Sequence, residues 1–459
     1  MNNKTISFFK EISKIPRESG NEKEISNYIC EFANTRNLDY LQDEYGNVII
    51  KKYNGKNEPI IFQAHLDMVC EKNDNDHDFK KDPIEIYEEE GFLKAKGTTL
   101  GADNGIGVAQ ILNILDDSLK LNIEAIFTVS EETSMCGAEN IDLSSLKGRV
   151  LINLDGFDKK TIITESACFY DIIMNLNYEL KEQSFSSVYK IKIEGMPGGH
   201  SGFDIDKNKG NSCIELAKLL AQFEQINIST FSGGTKFNVI PSQAECEFST
   251  NLKIEEIYKL INDFKKSINK RFKEATISFE QIEKSDNNKF LSKSDSLRFL
   301  KSIITFKHGV YSKTKNGLIT TSENLGVVNL ENKIFKIGVR SSRKIELEDI
   351  LNYLDNFAEQ NNYKIEILSH QPGFETNEDS RLIKALVQAY NNSINDGKLI
   401  IKPSHVTLEC GFFTEKIADL EVAIISPQII DAHTTNERVE IESIDECNIW
   451  IYEFLKKIK

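Results

Sequence analysis

Pro59-Ile60-Ile61-Phe62-Gln63-Ala64-His65 is an almost unbroken apolar run that stops on a histidine. A short run of this kind, bounded by turn signals, reads as a strand buried on both faces. Two further runs share the design. Ile123 to Val129 leads into Ser130-Glu131-Glu132, and Val150-Leu151-Ile152-Asn153-Leu154 leads into Asp155. Between the first two, Ile106 to Leu115 carries apolar residues at 106, 108, 109, 111, 112, 114 and 115, a broad face suited to a buried helix. Strand, helix and strand with continuous apolar strands predict an α/β sheet covered on both sides.

Outward from this nucleus, residues 1–40 read as two amphipathic helices, and Gly46-Asn47-Val48-Ile49-Ile50 reads as a turn entering a strand. Residues 166–372 read differently. Alternating strands such as Tyr189-Lys190-Ile191-Lys192-Ile193 mix there with helices at Cys213 to Phe223 and Ile254 to Phe272. This segment is expected to be an inserted α+β domain. After Pro372-Gly373, a helix around Leu382 to Tyr390 and an apolar strand at Val422 to Ile425 lead into Asp431-Ala432-His433. The first domain is therefore expected to comprise residues 1–165 and 373–459. No repeat of 20 to 50 residues and no low-complexity tract is visible in the sequence.

The chain of 459 residues can bury a sizeable core without disulfides or metal, so a bound metal would be functional. Its net charge of −15 argues against nucleic acid or an anionic membrane as a partner, since both call for clustered Lys and Arg. A cation is the better-matched ligand, although acidity also serves simple solubility. The eight cysteines form no C-x-x-C pair, and no stretch approaches the roughly 18 apolar residues of a membrane span. The N-terminus lacks a signal-peptide core, and a cytoplasmic location is expected.

The chemistry is suggested by where His and carboxylate residues fall. His65 and Asp67, Glu131 with Glu132, and Asp155 stand at or just past the ends of apolar strands, and His433 follows a fourth. In an open α/β sheet such ends share the rim where ligands bind. Asp103, opening a helix after Gly101-Ala102, would face the same rim. Each residue alone has a plainer explanation: Asp103 is also a good N-cap, Glu131-Glu132 could form a solvated turn, and Asp155-Gly156 is an ordinary turn dipeptide. Their coincidence at four strand ends favours a metal site. Mixed imidazole and carboxylate ligands suit divalent transition ions, and one carboxylate can bridge two such ions about 3.5–4 Å apart. A carboxylate off the metal would then serve as base, and the adjacent Glu131 and Glu132 offer one residue for each task. Two other motifs carry little. Gly105-Ile106-Gly107-Val108-Ala109 lacks the third glycine of a dinucleotide fingerprint, and Gly199-His200-Ser201-Gly202-Phe203 ends in Phe where a serine nucleophile elbow has Gly.

HLDMV at 65–69, KAKGTTLGADNGIG at 94–107, SEETSMCGAE at 130–139, GGHSG at 198–202, LECG at 408–411 and HTTNERV at 433–439 together resemble the aminoacyl-histidine dipeptidases of the M20 metallopeptidase family. The likeness spans essentially the whole chain. It implies a zinc-exopeptidase-like α/β catalytic domain with an inserted α+β lid domain. It implies His65, Glu132, Asp155 and His433 as terminal ligands, Asp103 as the bridge, and a cis peptide bond after Asp103. Glu131 would be the general base and Asp67 the carboxylate behind His65. His200 would come from the lid to stabilise the oxyanion, unless it merely belongs to its glycine-rich turn.

By the same likeness the cofactors are two divalent ions, zinc first, with cobalt or manganese as alternatives. The reaction is hydrolysis of dipeptides, Xaa-His or broader, by a water shared between the ions. Asn238, Arg340 and Glu409 are candidates for substrate contact, a structural role for Arg340 standing equally open. The partners implied are small peptides, with a homodimer allowed. The chain departs from the expected pattern at Thr434-Thr435 (for Ser-Pro), Cys70-Glu71 (for Pro-Gln) and His405-Val406-Thr407-Leu408 (for His-Ala-Gly-Leu). None of these removes a ligand or the base, so reaction type carries over further than specificity. The rival activities are other M20 reactions, namely those of a nonspecific dipeptidase, a tripeptidase or an N-acyl amino acid deacylase. A noncatalytic peptide- or metal-binding homologue is a further rival.

Overall fold

The three apolar runs lie side by side. In the computed structural model, which describes residues 4–73, 76–183, 185–223, 225–283 and 289–457, the Ile60–His65 strand sits between Asn122–Thr128 and Val150–Asn153 and is parallel to both. Every residue of Ile60–His65 is buried, as a continuous apolar run requires of a central strand. The sheet runs in the order Asp39–Gln42, Val48–Tyr53, Asn122–Thr128, Ile60–His65, Val150–Asn153, Glu421–Ile424, Thr161–Ser166 and Phe374–Glu375, with Ile400–Ser404 also paired to Thr161–Ser166. Asp39–Gln42 on Val48–Tyr53, Val48–Tyr53 on Asn122–Thr128 and Phe374–Glu375 on Thr161–Ser166 pair antiparallel, while Ile400–Ser404 runs parallel to Thr161–Ser166.

The helix expected from Ile106 begins earlier, at Ala102, and ends at Leu115. All its residues except Asn113 are buried, so a helix apolar on nearly all sides is a core element. It packs with Lys4–Ile12, Lys23–Thr35, Arg381–Ser393 and Ile441–Lys457 around one cluster that includes Phe9, Phe62, Phe127, Leu112, Tyr390 and Trp450.

By internal packing the chain forms two units: residues 1–166 with 373–404 and 408–459, and residues 167–372 with 405–407. The second unit has its own antiparallel sheet, in the order Thr276–Ile282, Val188–Glu194, Ala244–Thr250, Ile226–Gly234, Ile319–Asn329, Ile334–Ser341, Cys168–Asn175 and Lys364–Gln371. The helices Ser212–Leu220, Ile254–Asn269, Lys293–Thr305 and Lys344–Asn361 contribute Leu216, Ile257, Phe299 and Leu354 to its core. Two of these helices stop short of the expected Phe223 and Phe272. The chain beyond Leu220 tightens into i to i+3 bonds, with Gln222 donating to Leu219 and Phe223 to Leu220, and Arg271 likewise donates to Ile268. No helix among the described residues is long and apolar enough to cross a membrane.

Candidate metal centre

Sheet register sets the site. His65 is opposite Thr128 and Gln63 is opposite Asn153, so the chain leaves these three strands at one level. The first residues past the strands include Glu131, Glu132 and Asp155. Asp103 comes from the start of the Ala102–Leu115 helix, where its backbone and that of Asn104 depart from helical angles, and the peptide bond that follows Asp103 is cis. It is not an N-cap: Gly101 holds that position at a φ of +65°, and no side chain there accepts a capping bond. His433 arrives from the loop after Ile429–Ile430, with a φ of +64°.

The two oxygens of Asp103 face different histidines. Oδ1 lies 3.1 Å from His65 Nε2, and Oδ2 lies 2.9 Å from His433 Nε2. His65 Nε2 is also 3.6 Å from Asp155 Oδ1, while His433 Nε2 is 3.0 Å from Glu132 Oε1. The cluster thus divides into His65 with Asp155 on one side of Asp103, and His433 with Glu132 on the other. One donor atom from each of His65, Asp103 and Glu132 lies within 4.8 Å of the others. Two imidazoles and three carboxylates in this arrangement are the donor set of divalent transition ions, and the residues fit such a pair.

The charge balance points the same way. His65 is buried, which disfavours its charged form, yet Asp155, Asp103 and Asp67 raise it well above its ordinary value. His433 is pushed up to about 11, against its burial, by Asp103 and Glu132. The surrounding carboxylates therefore favour positive charge on both rings. Burial, with the neighbouring charges of Asp155, Glu132 and Glu409, raises the Glu131 carboxyl well above the usual range. A carboxylate raised in this way is suited to accepting a proton.

Supporting bonds fix these groups. Asp67 Oδ1 accepts from the backbone N–H of Glu131 at 3.0 Å, and Oδ2 accepts from that of Glu132 at 3.2 Å and from Ser19 at 2.7 Å. Its Oδ1 is 3.4 Å from His65 Nδ1, so one carboxylate orients the imidazole and the Glu131-Glu132 turn together. Glu22 accepts from the Ser130 N–H and hydroxyl. Asn104 Nδ2 donates to Asp155 Oδ1 at 2.8 Å. Glu409, only 1% exposed, accepts through Oε2 from Gln63 Nε2 and Thr128 Oγ1, both at 2.7 Å. Burial, opposed by His65 and Thr128, raises Glu409 to about 8.

Reading the sequence alone did not single out Arg17, Ser19, Glu22, Gln63, Thr128 or Glu437. Glu437 did fall inside the HTTNERV string, and Arg17, Ser19 and Glu22 share the turn-rich stretch Pro16 to Glu22. Polar residues at turns were the available signal.

His200, Asn238 and Arg340 belong to the second unit and gather there. His200 Nδ1 accepts from the Gly202 N–H at 3.2 Å, and its Nε2 is 3.4 Å from Asn238 Nδ2. Burial, then the nearby Arg340 charge, lowers His200 to about 4, so the ring is neutral at pH 7. Arg340 is 5% exposed, donates to Ser201 Oγ and Thr407 Oγ1, and lies over the Phe169 ring at 4.3 Å. Burial lowers its guanidinium to about 10. Among the described residues no carboxylate forms an ion pair with Arg340, which leaves a charge able to receive an anion.

Residues 61–457 match the description of peptidase family M20/M25/M40. The chain belongs to that family. This M20 chain is 30% identical over 470 residues to the cytosol non-specific dipeptidase of Escherichia coli, across 98% of the chain and 96% of the relative. Its structure superposes on the aminoacylhistidine dipeptidase of Vibrio alginolyticus with a TM-score of 0.86 and 28% identity, covering 100% of this chain and 97% of the other. A tripeptidase from Staphylococcus aureus shares the fold at a TM-score of 0.57 and 16% identity, over 99% and 98% of the two chains. The M20 chain accordingly has the mixed α/β fold of these peptidases, with the second unit's sheet inserted in sequence between the two parts of the first.

Proposed function

We propose that this M20 chain is a metal-dependent dipeptidase of broad specificity, with Xaa-His dipeptides among its substrates, acting at a pair of divalent ions. The observation that carries the reading is the division of Asp103's two oxygens between His65 with Asp155 and His433 with Glu132. The names of the E. coli and Vibrio relatives support dipeptides as the substrate class, and that of the E. coli relative supports a place in the cytosol. Zinc is the metal proposed, since nitrogen and carboxylate donors suit it.

Held by those five residues, divalent ions would polarise the scissile carbonyl and make water more acidic. Glu131 takes the proton of the attacking water and returns it to the amine nitrogen as the C–N bond breaks, giving one free amino acid with a new carboxylate and one with a new amine. Asp67 keeps His65 and the Glu131 backbone in register during that exchange. Arg340 is assigned to the substrate's C-terminal carboxylate, and His200 with Asn238 to the carbonyl oxygen, the inserted unit serving as a lid. That assignment is supported by a buried guanidinium that has no ion-pair partner among the described residues and lies near a neutral imidazole. Glu409 is assigned to bracing Gln63 and Thr128 through Oε2, while its buried Oε1, with no hydrogen-bond partner among the described residues, is the oxygen left for substrate contact.

The test is a panel of free and N-acylated dipeptides with protein stripped of metal and reloaded with zinc, cobalt or manganese. Metal-dependent cleavage of free dipeptides is expected. Faster cleavage of acylated substrates would make it a deacylase, and binding without turnover would make it a noncatalytic homologue. Glu131→Gln should keep its metal and lose roughly 10²- to 10⁴-fold in kcat. Wild-type kcat in that variant would remove Glu131 as base.

A further inference from the structure

Resting on the reading of His65, Asp103 and His433 as ligands, we propose that Glu437 and Arg17 are positioning residues: together they clamp the backbone that aims Asp103's two oxygens, and they do so before any ion arrives. Glu437 is 3% exposed, and its carboxylate collects four consecutive N–H groups. Oε2 accepts from Leu100 at 2.9 Å and Gly101 at 3.0 Å, and Oε1 accepts from Ala102 at 2.8 Å and Asp103 at 3.2 Å. Asp103 (φ −80°, ψ 111°) and Asn104 (φ −104°, ψ 27°) depart from helical angles, so these N–H groups lie in the turn ahead of the regular helix and need an acceptor from elsewhere. Gly101 has no side chain to offer, and the acceptor comes from 336 residues away.

Arg17, also 3% exposed, handles the carbonyls of the same region. Its Nη1 donates to the Leu66 and Asp67 carbonyls, both at 3.1 Å, and its Nη2 donates to the Gly101 carbonyl at 2.5 Å. One guanidinium therefore spans the backbone just past His65 and the backbone just before Asp103. The glycines at 101 and 105 make this possible, because a Cβ at either would run into Arg17 Nη2. On the other side, the Glu437 N–H donates to the Thr434 carbonyl at 3.1 Å, one residue past His433. The segments bearing His65, Asp103 and His433 are thus joined by two side chains that are not among the metal donors.

The consequence is preorganisation. A bridging carboxylate is useful only while its two oxygens hold their separate directions, and these follow from the Asp103 backbone. Gln cannot replace Glu437, because each carboxylate oxygen receives two N–H groups and an amide NH₂ would confront two donors with a third.

Cobalt titration of metal-stripped protein, read by its absorption and by bound equivalents, compares the wild type with Glu437→Gln, Glu437→Asp and Arg17→Lys. Wild type should bind two equivalents. Glu437→Gln should bind the second at least about tenfold more weakly, with Glu437→Asp, which retains both oxygens, nearer to wild type. Two equivalents bound by Glu437→Gln at wild-type affinity would overturn the clamp. Should the variants fail to fold, amide hydrogen exchange on the metal-free wild type decides. The N–H groups of Leu100, Gly101, Ala102 and Asp103 should be protected without metal and remain so on adding it. Fast exchange that slows only with metal would show that the ions, not Glu437, order the loop. A wild type that binds no ion pair would instead refute the dipeptidase reading, leaving the exchange result to judge the clamp.

Discussion

Arg340 illustrates how much one residue can do through what it lacks. A guanidinium buried with two hydroxyl partners, an aromatic face and, among the described residues, no carboxylate in ion-pair contact is short of an anion, and burial has lowered it to about 10, still well above neutral pH. A dipeptide's free carboxylate would satisfy it, with a charge-assisted bond contributing about 1.5–3 kcal/mol. Arg340→Met should therefore reduce kcat/KM for dipeptides by roughly 10- to 100-fold, since 1.4 kcal/mol is a factor of ten. For the same dipeptides amidated at the C-terminus, the loss should nearly vanish. Equal losses on both substrate sets, measured side by side, would assign Arg340 to structure alone.

At the scale of the element, the start of the Ala102–Leu115 helix concentrates the demands on the chain. Gly107 lies where a Cβ would press on Asn104 Oδ1 and on Leu154, and Asn104 is the residue that holds Asp155. Gly107→Ala should cost about 1–3 kcal/mol by overpacking and should also weaken metal binding through Asn104. An unchanged melting temperature would contradict this packing account. The same helix shows what the sequence could disclose. His65, Glu131, Glu132 and Asp155 were legible because each directly follows an apolar run, and a strand end is a place that pattern can locate. Asp103 was legible as a helix opener, but its likeness to an N-cap concealed that Glu437 supplies the cap from the far end of the chain. Arg17, Ser19 and Glu22 were illegible for the same reason: a side chain that bonds a partner far away in the sequence leaves no period in its own neighbourhood.

At the scale of the whole molecule, two separate cores should unfold as two events. The proposed ligand residues all belong to the first unit, so divalent metal should stabilise one calorimetric transition, by about 2.7 kcal/mol at a hundred times its Kd. The second unit carries an independent marker in Glu323, fully buried with neither oxygen hydrogen-bonded among the described residues. Burial raises its carboxyl well above the ordinary 4.5. A folded value above the unfolded one means that the contribution to stability is complete below about pH 4.5 and declines as pH climbs towards the raised value. Glu323→Gln should accordingly match wild type near pH 4 and exceed it increasingly towards pH 8, in the transition that metal does not move. A variant less stable at pH 8 would show that the carboxylate has a partner.

The account rests on Asp103 standing between two ions. Crystals of the zinc-loaded chain, measured on both sides of the zinc absorption edge, should give two anomalous peaks flanking Asp103, one beside His65 and Asp155 and the other beside His433 and Glu132. A single peak, or a pair that Asp103 does not bridge, would contradict it.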